Sequence, residues 1–249
     1  MPEVSIITPA FNAERVIGEA LDSIAQQDYK DLEAIVVDDC SGDGTPGVVE
    51  QRAKLDPRIR LIRQPENGGP SRARQAALDK ATGRYIAFLD CDDVWLPHKL
   101  MRQLDFMESW HAPLSYTEFR RMSADGMLVG RRVRVPAHLD YADLLCNTAI
   151  ATSTVIVDRE RTGPFAMTHT YYDDYALWLS LLRRGNRAHG LMEDLMRYRV
   201  SANSWSRNKA NSARWVWRTY REVEGLSVAR SAWCFANYAC RGALKYRKF

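Results

Sequence analysis

Apolar stretches of strand length recur at regular intervals along the first hundred residues of the chain. They begin near positions 4, 32, 59 and 85, and a helix-like spacing of apolar residues follows each of the first three. Residues 85–89 are continuously apolar and residues 32–37 are apolar apart from Glu33, which is typical of strands buried on both faces of a parallel sheet. The pattern therefore predicts an α/β fold in which a mostly parallel central sheet carries helices on both faces.

Beyond Pro97 the alternation becomes less regular, although no linker rich in proline, serine or glycine divides the chain. A helix is predicted from there to Trp110. Further strands are predicted at 114–122, 127–135 and 150–157, and further helices at 140–145 and 174–184. We expect one domain over residues 1–208, with functional halves 1–95 and 96–208, and a helical C-terminal extension over 209–249.

The composition is that of a globular protein. The 249 residues are 46% hydrophobic and 27% charged, which excludes collagen-like and disordered chains. Five cysteines without a CxxC pair argue against a zinc ribbon or a disulfide framework, and favour a reducing compartment. Apolar stretches approaching the roughly 20 residues of a spanning helix are absent, as is a basic, signal-like N-terminus. A cytoplasmic location is expected.

The net charge of +4 hides an uneven distribution along the sequence. Residues 1–119 carry 13 basic and 20 acidic side chains, whereas residues 120–249 carry 22 and 11. Residues 197–249 hold 12 basic side chains, two acidic ones and ten aromatic ones. Such a segment suits nucleic acid, an anionic membrane surface or a phosphorylated substrate. Its helix either packs on the domain with a solvated basic face or lies on the cytoplasmic leaflet of the membrane.

Three carboxylates follow the fourth predicted strand. Asp90, Asp92 and Asp93 crowd together at the carboxyl end of the sheet, where an open parallel sheet binds its ligands. Because adjacent acids repel one another, a hard divalent cation with oxygen ligands, Mg²⁺ or Mn²⁺, is the natural counter-charge. A more modest interpretation is that Asp93 caps the following helix.

The first βα turn argues against several classes of nucleotide-binding protein. Residues 8–12 (Thr-Pro-Ala-Phe-Asn) contain no glycine, which excludes the dinucleotide-binding fingerprint, and a P-loop is also absent. Phe11 either stacks on a base or packs in the core, and an aspartate such as those at 38–39 can accept a hydrogen bond from uracil. Of Arg72 and Arg74, which are two residues apart on a helix, at most one can point into the crevice.

Five short motifs in this order resemble the inverting glycosyltransferases of family 2, which have the GT-A fold and use nucleotide sugars. The resemblance extends from Val4 to about Asn208 and is closest to transferases of bacterial surface polysaccharides. Its motifs are VSIITPAFN at 4–12, VVDDCSGDGT at 36–45, NGGPSRAR at 67–74, YIAFLDCDD at 85–93 and DDYALWL at 173–179. The resemblance implies that the half 1–95 binds the nucleotide sugar and that the half 96–208 binds the acceptor.

The resemblance implies a role for individual residues. Asp90 and Asp92 correspond to the D-x-D pair, with Asp92 the direct ligand of Mn²⁺ or Mg²⁺ and Asp90 also near the ribose. Asp174 stands where the family has its catalytic base, and Asp173 before it is expected to cap the helix. The residues that would bind the nucleotide sugar, a UDP-sugar above all, are Pro9, Ala10, Phe11, Asn12, Asp39, Arg74, Asp90 and Cys91.

Two positions depart from the family pattern. Gln75 stands where many members have asparagine, and the segment after Tyr198-Arg199 lacks the histidine that many members place near the metal. Water could complete the metal's ligands instead, since Mg²⁺ keeps several.

The predicted acceptor is a hydroxyl of a glycan or of a polyprenyl-diphosphate-linked glycan, in capsule, exopolysaccharide or O-antigen assembly. The alternatives are a nucleic-acid-binding protein that uses the basic aromatic tail and a nucleotidyltransferase on a similar sheet. Known RNA- and DNA-binding signatures are absent from the sequence, and a nucleotidyltransferase would need a glycine-rich first loop, so binding of nucleic acid is not expected. Manganese-dependent hydrolysis of UDP-sugars would separate the three hypotheses.

Overall fold

One ten-stranded sheet organises the part of the chain that the structure describes. The computed structural model describes residues 2–170, 172–200 and 209–246, without the side chains of 209, 210 and 241–246. The strands are β1 (Val4–Ala10), β2 (Leu32–Asp38), β3 (Ile59–Arg63), β4 (Tyr85–Phe88), β5 (Val94–Trp95), β6 (Leu114–Ser123), β7 (Val129–Val133), β8 (His138–Leu139), β9 (Ile156–Asp158) and β10 (Ala188–Val200).

The sheet is mostly parallel along its main path, as the sequence predicts. The order is β3-β2-β1-β4-β9-β6-β10-β5, and β7 and β8 pair at the side with β6 and β10. β1 runs parallel to β2 and β4, and β10 runs parallel to β6. Because β9 is antiparallel to both β4 and β6, these two strands point the same way. Their carboxyl ends therefore open at one edge of the sheet, where a ligand site is expected.

Helices cover both faces of this sheet. They are α1 (Ile17–Ala25), α2 (Thr45–Leu55), α3 (Gly69–Leu78), α4 (Lys99–Ser109), α5 (Tyr141–Leu145), α6 (Arg159–Thr162), α7 (Asp173–Arg183), α8 (Lys209–Arg218) and α9 (Val228–Tyr246). Successive residues of β1 alternate between two cores: Ile6 packs with α1 and α4 on one face, and Ile7 packs with α3 and α7 on the other. The predicted arrangement is confirmed.

The predicted strand at 150–157 is wrong over residues 150–155. Residues Thr152–Thr154 form a 3₁₀ turn, in which the Thr154 amide donates to the Ala151 carbonyl, and only Ile156–Asp158 pair as β9. β-Branched residues favour strands only where a neighbouring strand is available for pairing. Here the Thr152 hydroxyl is hydrogen-bonded to Asp174 instead.

The longest strand of the sheet, β10, is not apparent from the apolar pattern. Its 13 residues alternate irregularly between buried and half-exposed positions, and register shifts interrupt its pairing with β6. Gly190 lies directly against the carbonyl of Pro136, so a Cβ atom could not be accommodated there. A bulged strand of this kind has no regular two-residue period, which is why the sequence does not reveal it.

The C-terminal segment forms two helices rather than one continuous extension. α8 passes through a π-helical turn at Thr219–Val223 and is followed by α9. Val216, Tyr220, Leu226 and Cys234 are buried in the same core as α7, so these helices pack on the domain. Among the described helices, none combines the length and the hydropathy that a transmembrane span requires. The boundary at 208/209 stays a prediction.

Candidate functional site

A large cleft opens at the carboxyl edge of the sheet. Its volume is about 2410 Å³, and its lining comes from the loops after β1, β2 and β4, the start of α3, the start of α7 and the inner faces of α8 and α9. Pockets for one small ligand are usually about 300–1,000 Å³. The cleft therefore has room for two substrates side by side.

The loop after β1 forms one wall of the cleft. Pro9, Ala10, Phe11 and Asn12 all line it, and Phe11 is 49% exposed, so the alternative that Phe11 packs in the core is wrong. Asn12 holds the loop in place, because its Oδ1 accepts a hydrogen bond from the Gly42 amide. The exposed Phe11 ring is available for contact with a flat ligand.

Asp39 anchors a second loop to the same wall. Its carboxylate accepts hydrogen bonds from the amides of Gly68, at 2.9 Å, and Gly69, at 2.7 Å. Gly69 has a φ of +81°, a backbone conformation that side chains disfavour. Asp39 directly follows β2, and β1 lies between β2 and β4, the strand that precedes Asp90. Asp39 therefore shapes the cleft from one strand further away.

Arg74 connects the two acidic parts of the site. Its guanidinium donates to Asp90 Oδ1 at 2.6 Å and to Asp173 Oδ2 at 2.7 Å. Burial alone would lower the pKa of Arg74, but the charges of Asp90, Asp173 and Asp174 outweigh it and raise the pKa. Arg72 is exposed and pairs with Glu66, but it also borders the cleft. Both arginines therefore contribute to the lining, contrary to the prediction that at most one faces the crevice, and only Arg74 is buried against the acids.

The acids after β4 differ in environment. Burial, together with the charge of Asp90, raises the pKa of Asp92 to about 6. Asp93 is fully buried, and burial raises its pKa too, although it accepts a hydrogen bond from the Arg199 amide at 2.9 Å. Since α4 begins at Lys99 with His98 as its N-cap, the interpretation of Asp93 as the helix cap is wrong.

Cys91 lies between the acids and also lines the cleft. Burial, with the charges of Asp92 and Asp90, raises the pKa of its thiol, and the backbone N–H of Phe11 donates a hydrogen bond to it. Cys91 is therefore a neutral contact between the acidic loop and the loop after β1, not a reactive thiolate.

The donor set suits a hard divalent cation. Asp90 and Asp92 offer oxygen ligands from side chains that line the cleft, and a cation would offset the desolvation and repulsion that raise the pKa of Asp92. Within the described residues, no three Asp, Glu, His or Cys side chains converge on one point. The remaining ligands would have to be substrate oxygens or water. Residues 201–204, where a histidine is lacking, lie outside the described residues.

Asp174 lies in the first turn of α7 and faces the cleft. Burial, followed by the charge of Asp173, raises the pKa of Asp174 to about 6. Three groups work in the opposite direction by favouring its carboxylate form: the charge of Arg74, the Thr152 hydroxyl at 2.5 Å and the Tyr175 amide at 2.6 Å. A carboxylate with a pKa near neutrality is suited to accept a proton.

Asp173 does not cap α7, contrary to expectation. The N-cap is Tyr172, and Asp173 is the first helical residue, buried against Arg74. The two acids therefore differ in their contacts: Asp173 is hydrogen-bonded to Arg74, whereas Asp174 is directed at the cleft.

Three functional residues are missed by the sequence reasoning. Thr152 binds Asp174, the Ser153 hydroxyl accepts a hydrogen bond from the Asp90 amide at 3.0 Å, and the Arg199 side chain donates to the Asp92 carbonyl at 2.8 Å. Arg199 also bonds Glu19 and the Ala124 carbonyl. The only signal in the sequence is Arg199's place in the Tyr198-Arg199 motif.

Comparison with known proteins gives a consistent result. The model of the family "Glycosyl transferase family 2" matches residues 5–141. A relative from Bacillus subtilis (strain 168), glycosyltransferase TuaG, is 42% identical over 99% of this chain and 98% of its own, and its name assigns it provisionally to teichuronic acid biosynthesis. An Escherichia coli relative, WfgD, is 34% identical over 98% of this chain and 94% of its own. It is named a UDP-Glc:α-D-GlcNAc-diphosphoundecaprenol β-1,3-glucosyltransferase.

Among solved structures, the mannosyltransferase PcManGT of Pyrobaculum calidifontis, in complex with GDP-Man and Mn²⁺, superimposes with a TM-score of 0.71. The match covers all of this chain and 76% of the other, at 20% identity, and shows that the two share the GT-A fold. The matches favour the glycosyltransferase hypothesis over the nucleotidyltransferase and nucleic-acid-binding alternatives. The chain is a glycosyltransferase and belongs to glycosyl transferase family 2.

Proposed function

We propose that this glycosyltransferase moves a sugar from a nucleotide sugar, a UDP-sugar above all, to a hydroxyl of a glycan or of a polyprenyl-diphosphate-linked glycan. The reaction inverts the anomeric centre and depends on Mn²⁺ or Mg²⁺. It serves the assembly of a bacterial surface polysaccharide, such as a capsule, an exopolysaccharide or an O-antigen. The observation that carries the proposal is that the carboxylate of Asp174 faces the same cleft as Asp90 and Asp92, with Arg74 joining the two sides.

The donor occupies the end of the cleft beside β1 and β2. Pro9, Ala10, Phe11 and Asn12 contact the base, with the exposed Phe11 ring against its face. Asp39 and Asp90 lie on the ribose side, and Cys91 completes this wall. The UDP-sugar donor in the name of the E. coli relative supports uracil as the base.

The diphosphate lies between the acids after β4 and Arg74. When bound there, Mn²⁺ or Mg²⁺ supplies positive charge that offsets the negative charge growing on the leaving oxygens. Asp92 would be its direct protein ligand and Asp90 the second. Arg74 adds a fixed positive charge, held by Asp90 and Asp173 so that it need not reorganise during the reaction. The Mn²⁺ in the P. calidifontis complex supports a divalent cation in an enzyme of this fold.

Asp174 removes the proton from the acceptor hydroxyl as the oxygen attacks the anomeric carbon. The bond to the diphosphate breaks on the opposite face, so the configuration inverts. Because the pKa of Asp174 is about 6, the group is mostly ionised at neutral pH yet basic enough to take a proton. Holding donor and acceptor in one cleft removes much of the entropic barrier to their encounter.

The acceptor enters from the side of α7, α8 and α9. The acceptor in the E. coli relative's name is a sugar on diphosphoundecaprenol, and that relative aligns with nearly all of this chain. We therefore propose a lipid-linked acceptor, with the enzyme acting at the cytoplasmic face of the membrane. The volume of the cleft, about 2410 Å³, is enough for this second substrate.

Calorimetry tests the donor and metal together. Protein stripped with EDTA is titrated with a panel of UDP- and GDP-sugars, before and after MnCl₂ or MgCl₂ is restored. We expect one UDP-sugar to bind with measurable heat only when the cation is present, and that sugar to be the one that is turned over. Unchanged affinity for every sugar with and without the cation contradicts the proposal.

A further inference from the structure

The outer face of α9 exposes apolar side chains along most of its described length. Trp233 is 69% exposed and Val228 is 61% exposed. Four small residues, all exposed, continue the face at helical spacing, and we call the six together the α9 stripe: Val228, Ala229, Ala232, Trp233, Ala236 and Cys240. With 3.6 residues per turn, these positions fall on one side of the helix.

The opposite side of α9 is fully engaged with the domain. Ser231 and Cys234 are buried, while Phe235 and Tyr238 are partly buried and line the cleft. The apolar residues that pack on the domain therefore do not account for the stripe, which is a second apolar face and is turned to solvent. An exposed apolar face of this kind marks an interaction surface.

The charge around the stripe indicates what covers it. From residue 225 to the C-terminus the sequence has no acidic residue and five basic ones, namely Arg230, Arg241, Lys245, Arg247 and Lys248. A second copy of this chain would present a segment of the same positive charge, and like charges repel. An anionic lipid surface instead attracts them, while tryptophan is suited to the boundary between head groups and acyl chains.

We propose that the α9 stripe inserts into the head-group region of an anionic membrane, with Trp233 as its principal anchor. The inference rests on the proposed lipid-linked acceptor. The link between the two is that Phe235 and Tyr238, on the other side of the same helix, line the cleft that contains Asp174. Docking α9 on the membrane brings the mouth of the cleft to the surface from which a diphosphate-linked sugar projects. The anchor is apolar contact by the stripe, assisted by the positive charge of the C-terminal sequence.

Sedimentation with vesicles tests the stripe. The full-length protein is mixed with vesicles of phosphatidylcholine alone and of phosphatidylcholine with phosphatidylglycerol. We expect the wild type to sediment with the mixed vesicles, and Trp233→Glu to lose about tenfold or more in partitioning, because the new carboxylate is unfavourable at an anionic interface. Trp110→Glu is the matched control, since Trp110 is 65% exposed on α4's C-terminal side and should leave partitioning unchanged.

Further measurements keep the outcomes separate. Far-UV circular dichroism checks that Trp233→Glu is folded, and Ala232→Glu provides a second disruption of the stripe. The inference is overturned if both variants bind vesicles as well as the wild type does. It is also overturned if sedimentation velocity shows that the wild type is a dimer and that Trp233→Glu dissociates it. Calorimetry of UDP-sugars with and without Mn²⁺, performed without vesicles, tests the proposed function separately. Vesicle binding by a protein that binds no UDP-sugar in a cation-dependent way would support the stripe and contradict the proposed function.

Discussion

The hydroxyl of Thr152 donates a hydrogen bond to Asp174 Oδ2, joining the 3₁₀ turn before β9 to the first turn of α7. The neighbouring Ser153 accepts a hydrogen bond from the Asp90 amide, so one turn of chain contacts both Asp174 and the acidic loop. These contacts fix Asp174 relative to the acidic loop, and the bond from Thr152 also favours the ionised form of Asp174.

Removing the Thr152 hydroxyl should shift the pH dependence of activity. The bond to Thr152 lowers the pKa of Asp174, so Thr152→Val raises that pKa above about 6. The base is then protonated at a higher pH, and the acid limb of kcat/KM moves upward by about one pH unit, as expected for one hydrogen bond to a charged group. A pH–rate profile at saturating Mn²⁺ measures the shift. Thr154→Val, which loses only a bond to the Ala151 carbonyl, should leave the limb in place.

Asp174→Asn should abolish transfer while leaving the donor site intact. An amide cannot take the acceptor's proton, so kcat falls by about 10²–10⁴-fold, the range for loss of a general base. UDP and Mn²⁺ should bind as in the wild type, because Asp90, Asp92 and Arg74 are untouched. Turnover and calorimetry are measured beside Asp105→Asn, an exposed site on α4. Near wild-type turnover in Asp174→Asn removes the assignment.

Arg74 and Arg72 provide a matched pair for stability. Arg74→Met leaves Asp173 buried without its partner, which should lower the free energy of unfolding by about 3–5 kcal/mol. Arg72→Met removes only a solvent-exposed pair with Glu66 and should cost about 0–1 kcal/mol. Urea denaturation at pH 7 measures both. Similar losses in the two variants would show that Arg74 is not the buried link between the acidic groups.

Lys99 is a buried amine whose removal should stabilise the protein. Its Nζ lies 3.9 Å from the centre of the Trp95 ring and has no hydrogen-bond partner among the described residues. Burial lowers the pKa of Lys99 well below its usual value. At neutral pH the unfolded chain therefore binds one proton at Lys99 that the folded chain does not bind. Because of this difference, the free energy of unfolding rises as the pH increases from neutral towards the usual lysine pKa.

Lys99→Met should therefore raise the free energy of unfolding at pH 7 by about 1–3 kcal/mol, the cost of an unpaired buried polar group. It should also flatten the rise in stability between neutral and alkaline pH. Thermal denaturation across that range, with exposed Lys80→Met as control, makes the comparison. A lower melting temperature for Lys99→Met would mean that the contact with Trp95 outweighs the cost of burial.

Local patterning was sufficient for much of the fold. The four early strands, the helices between them and the acids after β4 follow from apolar periodicity and from the rule that parallel strands bind ligands at their carboxyl ends. The same reasoning fails at residues 150–157, where Thr152 finds its partner in a distant helix, and at β10, whose bulges erase any two-residue period.

The sequence by itself determined the family, the direction of the sheet and the edge at which Asp90 and Asp92 lie, because these depend on short motifs and on the order of elements. Only the tertiary structure decided that Arg74 joins Asp90 to Asp173, a partner 99 residues away, that Thr152 holds Asp174, and that α9 turns an apolar stripe to solvent. Periodicity reports which side of an element is apolar, whereas the groups that it meets depend on how distant segments pack. The chemistry of the cleft arises from those long-range contacts.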